Sequence, residues 1–162
     1  KLPTFVPWKN ATMFSKACEH GIKAIIYIAT QSMDGKRVKI GDVVENSGSP
    51  EAFTAKVLGS LTKYHIVNSY TGPNGGFFID VKDMKKIKMS DIVNAIDGDS
   101  LYNGCGMGLS ECSKAQPCPM HDKFIKVRKE IKEMITNPIP LKMKNSMLST
   151  IYLMVVLNQP WL

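Results

Sequence analysis

The stretch from Ile40 to Asp80 changes its apolar rhythm twice, and no other part of the chain restricts the fold so much. Ile40, Val43 and Val44 recur at helical spacing over Ile40 to Asn46, Ser47-Gly48-Ser49 interrupts them, and Phe53, Val57, Leu58 and Leu61 resume the pattern between Pro50 and Tyr64. Pro50 suits a first helical turn, Ser49 is placed to cap it and Glu51 falls where the helix dipole favours an acid. The period then shortens. Ile66 to Tyr70 and Gly76 to Asp80 read as two strands joined by Thr71-Gly72-Pro73-Asn74-Gly75, a tip rich in residues that tolerate tight turns. Helix, short break, helix and then hairpin is the order of a winged helix-turn-helix, with an ordinary edge hairpin as the alternative.

The flanking segments fit a mainly α chain with a small β-hairpin wing. Phe14, Ala17, Cys18, Gly21, Ile22, Ile25, Ile26 and Ala29 predict a buried amphipathic helix over Phe14 to Ala29, with Cys18 as a small core residue. Met33-Asp34-Gly35-Lys36 is a turn, and Met89 to Ile96 is a short helix with Ser90 as its expected cap. From Pro119 to Thr136, Phe124, Val127, Ile131, Met134 and Ile135 form an apolar seam against a charged face. A long helix this far from the winged part is expected to pair with its copy in a dimer. With 162 residues there is room for a single core plus such an arm. The expected division is an N-terminal arm at 1–12, a winged helix-turn-helix domain at 13–98, a cysteine-rich loop at 99–118, a dimerisation helix region at 119–145 and an apolar tail at 146–162.

The loop carries the chemistry. Cys105, Cys112, Cys118 and His121 follow one another as C-x6-C-x5-C-x2-H, among glycines at 104, 106 and 108 and prolines at 117 and 119. A stretch of this length with neither helical nor strand periodicity needs something to organise it. A metal centre would do so, and zinc and iron-sulfur both remain open on spacing. Structural zinc prefers ligand pairs two to four residues apart, whereas a cluster tolerates wider gaps because it is larger than one ion. No secretory signal opens the chain, so reduced thiols in the cytoplasm are expected rather than disulfides.

Lys and Arg number 21 against 14 Asp and Glu, a net charge of +7, which suits a polyanionic partner. The longest apolar run, Ile151 to Leu157, is far too short to span a bilayer, so no membrane role is expected. A thiol redox enzyme built on Cys105 and Cys112 is disfavoured, because no C-x-x-C and no activating base stand beside them. The chain is therefore not expected to be an enzyme.

Together these marks resemble the Rrf-two (BadM) family of bacterial winged-helix transcription regulators. The resemblance rests on the opening M-F-S-K-A-C-E-H-G-I-K-A-I, the wing entry L-T-K-Y-H-I-V-N-S-Y-T-G-P-N-G-G-F, the helix S-D-I-V-N-A-I-D-G and the cysteine loop ending C-P-M-H. It covers Ser15 to His121 and implies a cytoplasmic homodimer that binds a double-stranded DNA operator. It also implies an iron-sulfur cluster on Cys105, Cys112 and Cys118, of 2Fe-2S type with 4Fe-4S as the other form. His121 stands where one branch of the family has a histidine as fourth ligand, and Glu19 matches the acidic ligand of other members. For DNA contacts the resemblance points to Pro50, Thr54, Ala55, Lys56 and Lys63 on the second helix and Ser69, Thr71, Asn74 and Gly75 on the wing. Two departures stand out: the first cysteine gap is six residues rather than the usual five, and threonine occupies the wing-tip position that is usually basic. A cluster-free regulator answering to a protein or small molecule, and a zinc-stapled DNA-binding module, are the alternative functions.

Overall fold

A computed structural model describes residues 13–137, except 106, 110 and 111. The expected arm at 1–12, the tail at 146–162 and the end of the 119–145 region lie outside the described residues. The elements run α1 (Lys16–Met33), α2 (Ile40–Ser47), α3 (Glu51–Lys63), β1 (Asn68–Tyr70), β2 (Gly76–Phe78), α4 (Met89–Ile96), α5 (Ser100–Asn103) and α6 (His121–Thr136).

The first helix is the spine. Ser15 caps it by accepting the Cys18 amide at 3.0 Å, and its inner stripe is Cys18, Gly21, Ala24, Ile25, Ile28, Ala29 and Ser32. The helix runs past the expected end at Ala29 to Met33, because the hydroxyls of Thr30 and Ser32 bond back to the carbonyls of Ile26 and Ile28 and do not break the pattern. α2, α3 and α4 all pack on α1. Their apolar faces meet in one core with Val43, Leu58, Leu61, Ile92 and Val93, all within 1 % of full burial. Each such Leu or Ile contributes about 1.5–3 kcal/mol by leaving water.

The two helices of the expected motif are present, separated by Gly48 in the left-handed conformation (φ 67°) that closes α2. Two expected caps differ. Pro50, not Ser49, holds the N-cap position of α3, since the Ser49 hydroxyl is used by His20 at 2.8 Å. Lys88, not Ser90, precedes α4, with its amide donating to the Asp91 carboxylate at 2.9 Å, which puts the acid at the dipole's positive end.

The wing is shorter than its sequence suggests, three residues per strand, paired antiparallel as Asn68 with Phe78, Ser69 with Phe77 and Tyr70 with Gly76. It is fastened to the helices at two points. Val38, in the α1–α2 connection, pairs with Phe77, and the Ile79 amide donates to the Ser32 hydroxyl at 3.0 Å. The 99–118 loop, expected to lack regular structure, begins with the single-turn helix α5. α6 lies against α5 and α4, held by Arg128 donating to the Gly104 carbonyl and by Lys132 over the Tyr102 ring at 5.8 Å.

One buried polar chain joins α1 to α3. The Thr54 hydroxyl donates to the Pro50 carbonyl at 3.1 Å, so it accepts from His20 Nε2 at 3.1 Å; Nδ1 of the ring then accepts from Ser49. This network assigns the neutral Nε2–H tautomer. Burial, and secondarily the Lys23 charge, hold the His20 pKa below its usual value. The imidazole therefore stays neutral in the fold while the unfolded chain takes up a proton, so stability falls as pH drops below about 6.5 until the lowered folded pKa is reached. Thermal unfolding from pH 7.5 to 5 should show this slope. His20→Ala should lose it and cost about 1–3 kcal/mol, because Thr54 and Ser49 are left without their partner.

Candidate metal centre and nucleic-acid interface

Three short turns bring the cysteines together. The Gly108 amide donates to the Cys105 carbonyl at 2.9 Å, Ser113 and Gln116 close a turn before Cys118, and the His121 amide donates to the Cys118 carbonyl at 3.0 Å as α6 begins. The Sγ atoms of Cys105, Cys112 and Cys118 all lie within 4.8 Å of one another, with Cys105 and Cys118 3.9 Å apart. Nδ1 of His121 is 3.1 Å from Cys112 Sγ, while its Nε2 is buried without a hydrogen-bond partner among the described residues. Three converging thiols beside an imidazole with an unpaired nitrogen is a donor set that fits a soft metal or an iron-sulfur cluster. An open cleft of about 740 Å³ adjoins it, lined by Ser15, Asp97, Leu101, Gly104, Cys105 and Cys112 among others.

Glu19 sits elsewhere, on α1, paired with Lys16 at 2.9 Å, and is not among the group formed by the cysteines. Cys18, also on α1, is fully buried in the core as its spacing predicts.

The thiols are not equivalent. Amides of Met107 and Leu109, followed by the neighbouring thiols, lower the Cys105 pKa to about 7. At Cys112 the Cys118 amide pulls down, but burial and the adjacent cysteines outweigh it and the value ends raised. Burial, with Asp97 and Glu19 nearby, pushes Cys18 up to about 12.

Of the residues expected to contact DNA, Pro50 at the N-cap of α3 and Ala55, Lys56 and Lys63 along it are exposed, Ser69 is exposed on β1, and Thr71 and Asn74 stand at the exposed tip, with Gly75 half-buried. Thr54 requires a correction. It is fully buried and bonded to His20, so it cannot face a groove. The inward stripe of α3 is Thr54, Val57, Leu58 and Leu61, whereas sequence periodicity began it at Phe53; Phe53 is half-buried, with its ring 5.4 Å from that of His20. A histidine across the interface lets a threonine take a core position, and no spacing rule signals that. Arg37, outside every motif, also lies on the wing; the clue in the sequence is that the stretch from Asn68 to Phe78 carries no charge.

A core of four helices, α1 to α4, with a hairpin fastened to its edge and the outer face of α3 left exposed defines a winged helix-turn-helix protein. The Rrf2 family, described as iron-dependent transcriptional regulators, matches residues 14–138, and the chain belongs to that family. It is 28 % identical over 123 residues to an HTH-type transcriptional regulator of Aquifex aeolicus, spanning 75 % of this chain and 83 % of the relative. To the HTH-type transcriptional regulator IscR of Yersinia enterocolitica it is 25 % identical over 118 residues, 73 % of this chain and 70 % of that one. Among solved structures, CymR of B. subtilis, the global cysteine regulator, superposes with a TM-score of 0.64 at 17 % identity, covering 85 % of this chain and 96 % of CymR. T. potens IscR superposes at 0.59 and 22 % identity over 87 % and 89 % of the two chains. These likenesses carry the fold. No helix among the described residues is long and apolar enough to cross a membrane.

In metal-free protein at pH 7, Cys105 should alkylate first with iodoacetamide and Cys18 last, because the thiolate is the nucleophile. Peptide mass spectrometry over a time course reads the order; equal rates at the two would contradict the assigned environments.

Proposed function

We propose that this transcription regulator is a homodimer whose affinity for a double-stranded DNA operator is set by an iron-sulfur cluster, of 2Fe-2S type with 4Fe-4S as the other form, on Cys105, Cys112, Cys118 and His121. The convergence of three cysteine sulfurs within 4.8 Å is the observation that carries it. In this reading residues 13–98 bind DNA, 99–118 hold the cluster and 119–145 dimerise. His121 is preferred to Glu19 as fourth ligand because it already touches Cys112 and has an unpaired buried nitrogen. When bound, the cluster supplies a one-electron couple and offsets the charge of the thiolates.

DNA contact falls to the exposed residues of α3, Pro50, Ala55, Lys56 and Lys63, with Ser69, Thr71, Asn74 and Gly75 setting the wing against the backbone. The family's activity in transcription and the net charge of +7 support this assignment. The cleft beside the cysteines offers a route between the two sites. Its wall includes Ser15, which caps α1 and donates to Asp97 at the end of α4. Five residues further along the same helix, His20 holds the start of α3. Dimerisation is supported by α6 and its N-cap, where Met120, Val127 and Met134 stay exposed at seven-residue spacing among the described residues, with Phe124 and Ile131 half-buried between them.

Anaerobic reconstitution with ferrous iron and sulfide should give a visible chromophore with matched iron and sulfide, and Cys112→Ala should lose it and change operator affinity. A colourless protein carrying one zinc would establish the stapled module instead, and equal affinity with and without the chromophore would sink the sensing role. Val127→Asp should shift the protein toward monomer by light scattering; an unchanged mass would remove α6 from the interface.

A further inference from the structure

From Asn68 to Phe78 the wing reads NSYTGPNGGFF, without one charged side chain. A hairpin that approaches a polyphosphate without a cation forgoes the counterion release that dominates DNA affinity. The fold brings a cation from outside the hairpin. Val38 exchanges both backbone hydrogen bonds with Phe77, at 2.9 and 2.7 Å, as a short third partner along β2. Continued by one residue, that antiparallel register sets Arg37 beside Phe78, on the face Phe78 shares with Tyr70. The close approach needs Gly76. At φ 147° it lies in backbone space that side chains avoid, and a Cβ there would stand 2.7 Å from the Val38 carbonyl oxygen.

The guanidinium of Arg37 lies 4.7 Å from the Tyr70 ring centroid and 5.4 Å from that of Phe78. Its Nη1 donates to the Asn74 carbonyl at the hairpin tip, 3.1 Å away. Arg37 is nonetheless exposed, and none of the ion pairs among the described residues involves it. Two aromatic faces and one carbonyl thus hold a flexible, rotamer-rich side chain at the wing tip, with most of its five N–H donors still free to bind.

We propose that Arg37 is the wing's cationic DNA contact, delivered from the α1–α2 connection onto an uncharged hairpin and pre-oriented there to bind backbone phosphate. The proposal rests on the DNA-binding reading above and goes beyond it, since Arg37 belongs to neither the second helix nor the wing. Arginine suits this position because its planar fork stacks on the rings while its edge pairs with phosphate oxygens. Lysine would keep the charge and lose both the stack and the fork.

The test begins with duplexes enriched by the wild-type protein from a pool of random-sequence DNA. Against the best of these, Arg37→Ala should bind about five- to tenfold more weakly at low salt, and its plot of log affinity against log salt should be shallower by about one. Arg37→Lys should recover most of the slope and part of the affinity. The double variant R37A T71R, which returns a cation to the tip without the stack, should restore the slope. Thermal unfolding of each variant separates a lost contact from a lost wing. Unchanged affinity and slope in Arg37→Ala would overturn the proposal while leaving DNA binding intact. Weaker binding with an unchanged slope and no rescue by T71R would make Arg37 a clip for the hairpin and would also overturn it. Failure of the wild type to enrich any duplex would remove the DNA-binding reading and Arg37 with it.

Discussion

The packing of α1 against three other helices is the constraint on which the rest of the structure depends. An 18-residue helix is about 27 Å long, and this one makes a polar tie to a different functional part at three heights. Ser15 at its start bonds Asp97 beside the cysteine cleft, His20 a turn later holds Ser49 and Thr54 at the head of α3, and Ser32 near its end receives the Ile79 amide behind the wing. Between those ties the stripe of Cys18, Ile25, Ile28 and Ala29 is essentially closed to solvent. Close packing keeps such a helix from shifting against one neighbour without disturbing the others.

That arrangement explains why polar residues occupy core positions. A buried hydroxyl or imidazole is costly unless its bonds are made, and here they are made across elements. Ser32 serves its own helix through Ile28 and the hairpin through Ile79. Thr54 accepts from His20 and donates to the Pro50 carbonyl, which ties the first turn of α3 to α1.

Helices α2, α3 and α4 were legible to within about a residue, because their apolar spacing is set by the helical period and by glycine, proline and acidic residues at the ends. The overrun of α1 was not, since hydroxyl residues near its end satisfy themselves against the preceding turn. The two cap differences have separate causes: Ser49 is taken by a tertiary partner, His20, whereas Asp91, three residues after Lys88, accepts the Lys88 amide and sets the start of α4 ahead of Ser90. Thr54 likewise looked like a surface residue until His20 was placed across from it. At the cysteines, the order C-x6-C-x5-C-x2-H already named the donors; their approach depends on turns at Gly108, Gln116 and the start of α6 that no period predicts.

The sequence alone determined the kind of protein. Helix, break, helix and hairpin depend on neighbours a few residues apart, and the cysteine spacing is likewise local. Only the tertiary structure decided which polar side chains are spent inside, how closely the three loop sulfurs approach one another, and that Arg37, far from the hairpin in sequence, lies on its face. Those outcomes depend on contacts between segments distant in the chain. Burial and hydrogen-bond completion assign each side chain its partner there, and neither can be read from spacing along a strand or helix.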